Sequence, residues 1–370
     1  MIPLPETRRV FTPFIIPSLI ALPVAGFGLY ALWPLLPLDL WRVIIALIAL
    51  IAFAAGNAAY LVWLERKVCA HIQCRIGPKE VGPFGLLQPL ADGIKLMTKQ
   101  LIVPKGVDPL LFKVAPLLVL VPAVMSFVTI PFSETLVARN IDIGLLMIFA
   151  FASVNVMGLL LGGWGSANKY AVISAARAVS QNVAYEIPML ITVITMVMIT
   201  HTLNLRDIVL QQSGNMFDWY VFRFSASPLL WMSFLIFFVC SLAETNRAPF
   251  DLGEAESELI AGFHTEYSGM GFGVFFMGEY ANIVIGCGLT SILFLGGWQC
   301  PFGLWPGWWW FLAKIYFLIF CVMWIRWTYP RTTLWGLLNL SWKVLIPLAL
   351  INLLLTGGWL KFWPMLMGAQ

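Results

Sequence analysis

Between Ala243 and Met270 the chain reads AETNRAPFDLGEAESELIAGFHTEYSGM, setting Glu244, Asp251, Glu254, Glu256, Glu258 and Glu266 against the single arginine Arg247. Long apolar stretches flank this segment. Carboxylates beside or inside a bilayer are expensive, and a chain that is 60% hydrophobic and 11% charged does not gather them by accident. Their concentration points to the handling of protons, or of a polar redox headgroup, at a membrane surface. A helix over 252–262 would put Glu254 and Glu258 on one face at i,i+4, with Glu256 pointing away. Like charges that close raise each other's pKa, and partial burial raises it further, which suits proton exchange near neutral pH. Phe250, Ile260 and Phe263 interleave apolar bulk, as the lining of a cavity would. The plain alternative is a solvated acidic loop that binds a basic partner surface.

Other ionisable groups fall in or near apolar runs. Glu186 precedes Pro188 where a span begins, Glu279 lies inside 272–297, and Lys314 lies inside 308–326. A charge within a bilayer costs about 2.5 kcal/mol or more, so each of these is expected to be paired or to face water. For Lys314 the plain alternative is snorkelling toward the headgroups. Glu134, at a span end, reads as an ordinary interfacial acid. A second polar segment, Leu64 to Gln100, reads LERKVCAHIQCRIGPKEVGPFGLLQPLADGIKLMTKQ. Gly77-Pro78 and Gly82-Pro83 break helix there. Beyond them Leu86, Leu87, Leu90, Ile94 and Met97 fall at helical spacing, which predicts an amphipathic helix along the membrane. The plain reading of this segment is a basic loop that only sets topology.

The elements that position these residues are apolar runs of about 20 residues. With a mean hydropathy of +0.87 over 370 residues, they define an all-α polytopic membrane protein. Spans are expected near 11–36, 41–63, 114–133, 141–163, 184–202, 228–243, 272–297, 308–326 and 342–360. Pro13, Pro17, Pro23 and Pro34 make the first of these a broken or interfacial helix as readily as a span. A cytoplasmic N-terminus leaves only Arg42, Arg139, Arg206, Arg223 and Lys361 in the outer loops, a strong positive-inside bias. Three large loops, 64–113, 164–183 and 244–271, then face the cytoplasm. Trp305, Trp308, Trp309 and Trp310 cluster at a span end, where amphipathic rings favour the headgroup level. The chain reads as one membrane domain over 1–370, with 1–40 as an N-terminal extension and 41–360 as the core.

Several functions are disfavoured. The cysteines at 69, 74, 240, 287, 300 and 321 form no CxxC pair, and His71, His201 and His264 are scattered. No Walker A or dinucleotide fingerprint is present. No small-residue cleavage site follows the N-terminus, and no internal repeat marks an inverted-repeat transporter. Electrons, if this chain works with them, come from partner subunits.

Three segments carry a specific resemblance: LERKVCAHIQCRIGPKEVGPFGLLQPLADGIKL, AARAVSQNVAYEIP and AETNRAPFDLGEAESELIAGFHTEYSGM, continued by FFMGEYANI and LAKIYFLIF. Over roughly 41–360 the chain resembles the H subunit (subunit 1 in mitochondria and chloroplasts) of the proton-pumping NADH:quinone oxidoreductase, respiratory complex I. The resemblance implies an eight-span core, here with an added N-terminal apolar helix, in a bacterial inner membrane. It implies a subunit that is not catalytic alone, with Arg66, Gln73, Arg75, Phe250 and Phe263 lining a cavity for the substrate quinone. By resemblance, Glu186, Glu244, Asp251, Glu254, Glu256, Glu258, Glu266, Glu279, Asp92 and Lys314 take part in proton transfer. It implies no cofactor or metal bound by this chain, with flavin and iron–sulfur clusters in partner subunits. The implied partners are peripheral-arm iron–sulfur and quinone-site subunits, small membrane subunits, antiporter-like subunits and lipid, with no nucleic acid. Gly253 stands where bacterial relatives often have Pro, and Gln100 where many have Glu. The same scaffold in a membrane-bound hydrogenase or a ferredoxin- or F420-dependent complex is the nearest rival. An autonomous ion or proton transporter is the rival from another class.

Overall fold

A computed structural model describes residues 39–223, 227–253, 256–303 and 305–366. Helix α1 spans Asp39–Ile72, carrying the expected span at 41–63 on through Arg66, Lys67 and Cys69. The breakers behind it hold a 3₁₀ turn at Pro83–Gly85, with Gly82 and Gly85 at φ 74° and 77°. A Cβ on Gly85 would collide with the Pro78 carbonyl group and the Lys79 amide, so the turn requires glycine there. Helix α2, Gln88–Thr98, turns Leu90, Ile94 and Met97 outward as an apolar stripe, as the amphipathic spacing predicts. The chain divides into two compact units, residues 1–92 and 93–370.

The second unit continues with α3 (Pro109–Thr129), α4 (Gly144–Gly165), α5 (Lys169–Thr200), the short α6 (Leu205–Leu210) and α7 (Leu230–Glu244). Then come a four-residue α8 (Glu256–Leu259), α9 (Gly269–Phe294) and α10 (Trp308–Thr328). Finally α11 (Leu334–Leu340) passes through a π turn at Ser341–Leu345 into α12 (Ile346–Leu366). Among the described residues there is no strand, only an isolated bridge between Asn215 and Phe302. Among the described residues seven helices are long and apolar enough to cross a membrane: α1 from Ile45, α3, α4, α5, α9, α10 and the joined α11–α12. Helix α7, at the expected 228–243, is apolar but only 15 residues long. The chain is thus the all-helical polytopic membrane protein its apolar runs describe. The expected stretch 11–36 lies outside the described residues.

Within the second unit α5 and α9 are the packing hubs. Helix α3 packs on α4 and α9, α5 on α4, α7 and α12, and α9 on α7 and α10. Small residues permit these approaches. Val119 of α3 sits between Gly158 of α4 and Gly278 of α9. A Cβ on either glycine would fall 2.8 or 2.7 Å from a Val119 methyl. Helix α5 begins well before the span expected at 184–202, because Asn168 caps its first turn and the Ala-rich AARAVSQNVAYE run continues the helix.

Two prolines inside these helices remove N–H donors, and side chains from elsewhere replace them. Pro116 frees the Phe112 carbonyl, which accepts from the Tyr267 hydroxyl at 3.1 Å. Pro188 frees the Ala184 carbonyl, and Ser341 Oγ of the π turn donates to it. Ser341 is fully buried. In each case a proline in one segment fixes the register of another.

Candidate functional site

The acidic segment leaves α7 at Glu244 and is fastened to its neighbours one carbonyl at a time. Gln181 of α5, fully buried, donates from Nε2 to Ala243 O at 2.7 Å and to Phe250 O at 2.8 Å. Ser174 Oγ donates to Gly253 O, and the Thr332 backbone N and Oγ1 both donate to Pro249 O at 3.1 and 3.0 Å. Buried backbone polar groups in an apolar bundle require such partners. These bonds, and not a continuous helix, shape the segment.

Helix over 252–262 is not what forms. Among the described residues there, the α-helical turn is Glu256–Leu259 alone. Ile260 at φ 65° and Gly262 at φ 66° end it before a 3₁₀ turn at Gly262–His264. Glu258 is exposed and lies 2.5 Å from Arg177 of α5. The hydrogen bond from that guanidinium, together with its charge, holds the Glu258 carboxyl below the usual carboxylate range. This reverses the upward shift that the i,i+4 reading predicts, because the basic neighbour comes from another helix. Glu254 lies outside the described residues. Glu256 opens α8.

The remaining acids sit deeper. Glu186 of α5 is half-buried and accepts from Ser153 Oγ of α4 at 2.8 Å. Glu244 lines a cavity of about 30 Å³ together with Ser126, Ser241, Thr245 and Asn282. That volume holds one or two waters. Ser126 and Thr245 give their hydroxyl hydrogens to Pro122 O and Leu242 O, so they offer lone pairs to a guest that donates. Glu279 of α9 is buried, and beside it the ring of Tyr280 stacks under Arg247 at 4.4 Å. Asp251 is half-buried. Glu266 accepts from Asn168 Nδ2 at 2.7 Å, so the residue that caps α5 also holds this acid. Glu134 has Arg206 at 3.9 Å.

Phe250 and Phe263 are buried. Phe250 packs at 5.5 Å from Tyr185, and Phe263 belongs to the apolar cluster with Phe112, Tyr267 and Phe275. Ile260, read with them as cavity lining, is exposed instead. In the first unit Arg66 Nη1 donates to Asp92 Oδ2 at 2.8 Å, and Gln88 donates to the other oxygen at 3.3 Å. Arg75 holds Gln73 Oε1 at 2.7 Å and lies 3.3 Å from Cys69 Sγ. Lys314 is buried in α10, where its Nζ donates to three backbone carbonyls.

Reading side chains alone missed Arg177, Ser153, Asn168 and Gln181. Gln181 carried a signal: a polar amide on the buried face of a helix requires partners. Arg177 carried one too, as the single cation of AARAVSQNVAYEIP.

Apolar helices enclosing half-buried carboxylates, with a large polar loop pinned across one end, define a polytopic membrane protein with ionisable groups inside its bundle. Comparison with known proteins makes this specific. A family model described as NADH dehydrogenase matches residues 45–357, and the chain belongs to that family. It is 65% identical over 327 residues to the NADH-quinone oxidoreductase H subunit of Desulfotalea psychrophila, covering 88% of this chain and 98% of that protein. It is 43% identical over 334 residues to the second such H subunit of Geobacter metallireducens, covering 85% and 94%. Against the first H subunit of Geobacter sulfurreducens it is 45% identical over 325 residues, covering 82% and 91%. The resemblance read in the three sequence segments is borne out by these relatives.

Proposed function

We propose that this chain forms the quinone cavity of a proton-pumping NADH:quinone oxidoreductase and links quinone reduction to proton translocation. The relatives' names support the assembly, with other subunits of the complex as partners. The observation that carries the coupling is Glu244 on a mostly apolar cavity between α3, α4, α5, α7 and α9, with Glu186 held by Ser153 on adjoining helices. A membrane bundle does not retain such groups for packing, because each charge is costly there.

Quinone reduction takes up electrons, delivered by partner subunits, and protons. In this reading Arg66, Gln73 and Arg75 face the quinone, and Arg75 sets the Gln73 amide by its hydrogen bond. Phe250 and Phe263 hold their stretches of the wall from behind, since both are packed in the core. The change of charge at the quinone acts on the acids of the 244–266 segment, with Glu258 as a fixed anion set by Arg177. Glu266, Asp251, Glu244, Glu279 and Glu186 carry the protonation change into the bundle, and Asp92 anchors Arg66. The assembly sits in a bacterial inner membrane.

The experiment is Glu186→Gln and Glu244→Gln in the assembled complex, reading NADH:quinone activity and proton uptake in proteoliposomes. Assembly with loss of both supports the reading. Assembly with both intact overturns it.

A further inference from the structure

Lys314 lies less than two turns into α10 and is only 9% exposed. Its Nζ donates to the carbonyls of Leu295 at 2.6 Å, Gly297 at 2.9 Å and Gln299 at 2.7 Å. It also stands 3.9 Å above the ring of Trp219. Three carbonyl acceptors require three N–H donors. An ammonium has three, whereas a neutral amine would aim its lone pair at a carbonyl oxygen. The aromatic face below favours a cation as well. The cage therefore specifies a charged lysine, and no carboxylate among the described residues forms an ion pair with it.

The cage is rigid. Gly296 and Gly297 take φ 70° and 48°, which folds the 295–299 carbonyls inward. Gln212, fully buried, accepts from Gly296 N at 3.0 Å and donates to Ile292 O at 2.8 Å. Gly307 N donates to Trp298 O at 3.1 Å and closes the loop onto the start of α10. The side chain that would snorkel toward headgroups is instead tied down inside the bundle.

Its position gives the charge a purpose. The cavity beside Glu244 reaches Leu289 on α9, and Leu295 follows six residues later, about 9 Å along the axis. Glu279 is farther back, about 24 Å from Leu295 on the same measure. The fixed cation thus stands beyond the cavity that Glu244 lines, at the end of the bundle that 295–307 closes. We propose that Lys314 is a fixed-charge barrier, a caged ammonium that stops protons held in the acid-lined interior from leaking out through that end. This rests on the proton-coupling reading above. It differs from the role implied by resemblance, in which Lys314 passes protons along.

At about 10 Å and an effective dielectric near 20, a fixed positive charge disfavours an approaching proton by about tenfold or more. The test uses the assembled complex in proteoliposomes with an entrapped pH dye, reading passive proton leak after a pH jump alongside NADH:quinone activity. Lys314→Met should raise the leak about tenfold with quinone reduction retained. Lys314→Arg, which keeps the charge, should stay tight. Trp219→Leu should also stay tight, because the ammonium and its carbonyls remain. A tight Lys314→Met complex overturns the proposal, and if that complex has also lost pumping, Lys314 is a proton carrier. Equal leak in Trp219→Leu overturns it too, because packing would then be the seal. Where Lys314→Met does not assemble, Lys314→Gln, which keeps a donor for the cage, is read by the same criteria. Failure of the proton-coupling reading registers separately, as intact pumping in Glu186→Gln and Glu244→Gln complexes.

Discussion

Tyr267→Phe removes one hydroxyl and leaves the stacking of this ring on Phe112, at 4.1 Å and 4°, in place. The hydroxyl fills a carbonyl that Pro116 has deprived of its helix donor. Without it the Phe112 carbonyl is a buried acceptor lacking its one identified partner, a loss of about 1–3 kcal/mol. Burial pushes the Tyr267 phenol up, so it remains a protonated donor throughout the neutral range. Pro116→Ala restores a backbone N–H to the same carbonyl from within α3. In that background Tyr267→Phe should matter little, and the interaction energy between the two sites should be about 1–2 kcal/mol. The assay is temperature-dependent thiol labelling of the buried Cys240 and Cys287 in the purified complex, followed by peptide mass spectrometry. At about 2–4 °C per kcal/mol, Tyr267→Phe should lower the labelling midpoint by about 2–12 °C in the native background and by under about 2 °C beside Pro116→Ala. Equal falls in both backgrounds would refute the reasoning, because the hydroxyl would then act somewhere other than on that carbonyl.

The same logic at Pro188 predicts that Ser341→Ala lowers the labelling midpoint by a comparable amount, and that Pro188→Ala largely cancels the effect. Glu258, held low by Arg177, contributes at neutral pH and loses its contribution only as pH falls through its lowered pKa. Glu258→Gln should therefore change quinone reductase activity by the same factor from about pH 6 to 8, and a moved pH optimum would contradict this. Gly278→Leu drives a side chain into Val119, so it should abolish accumulation of the chain in membranes, as judged by immunoblot of the assembled complex. Arg66→Leu removes the ion pair to Asp92 and should lower quinone reduction while sparing NADH oxidation by a soluble acceptor; equal loss of both would argue against a quinone-site role.

Long apolar runs revealed the bundle, since backbone groups in lipid have few ways to be satisfied other than helix. Helix ends were less legible. Helix α5 reaches back to Lys169 because Asn168 supplies a cap, which hydropathy does not register. The deep acids were visible because each is an expensive residue in an apolar setting. Their surroundings were not. The i,i+4 spacing of Glu254 and Glu258 suggests a mutually raised pair, but Glu258 is held low by a cation from another helix. Arg177 lies 81 residues from Glu258 in the chain, so no local spacing could link them. The Lys314 cage is built of carbonyls, which every residue owns. Its only sequence trace is the Gly296-Gly297 pair.

The fastening of the acidic segment limits what its response to quinone can be. Ala243, Pro249, Phe250 and Gly253 offer their carbonyls to donors on α5 or ahead of α11, and Tyr267 is moored to α3. A strap secured at both ends does not travel as a rod or slide past its neighbours. What it can do is change charge between its moorings, where Glu258 leans on Arg177. A signal entering there is a short tilt of charge against a stationary frame, and it passes inward through the helices on which the strap is tied.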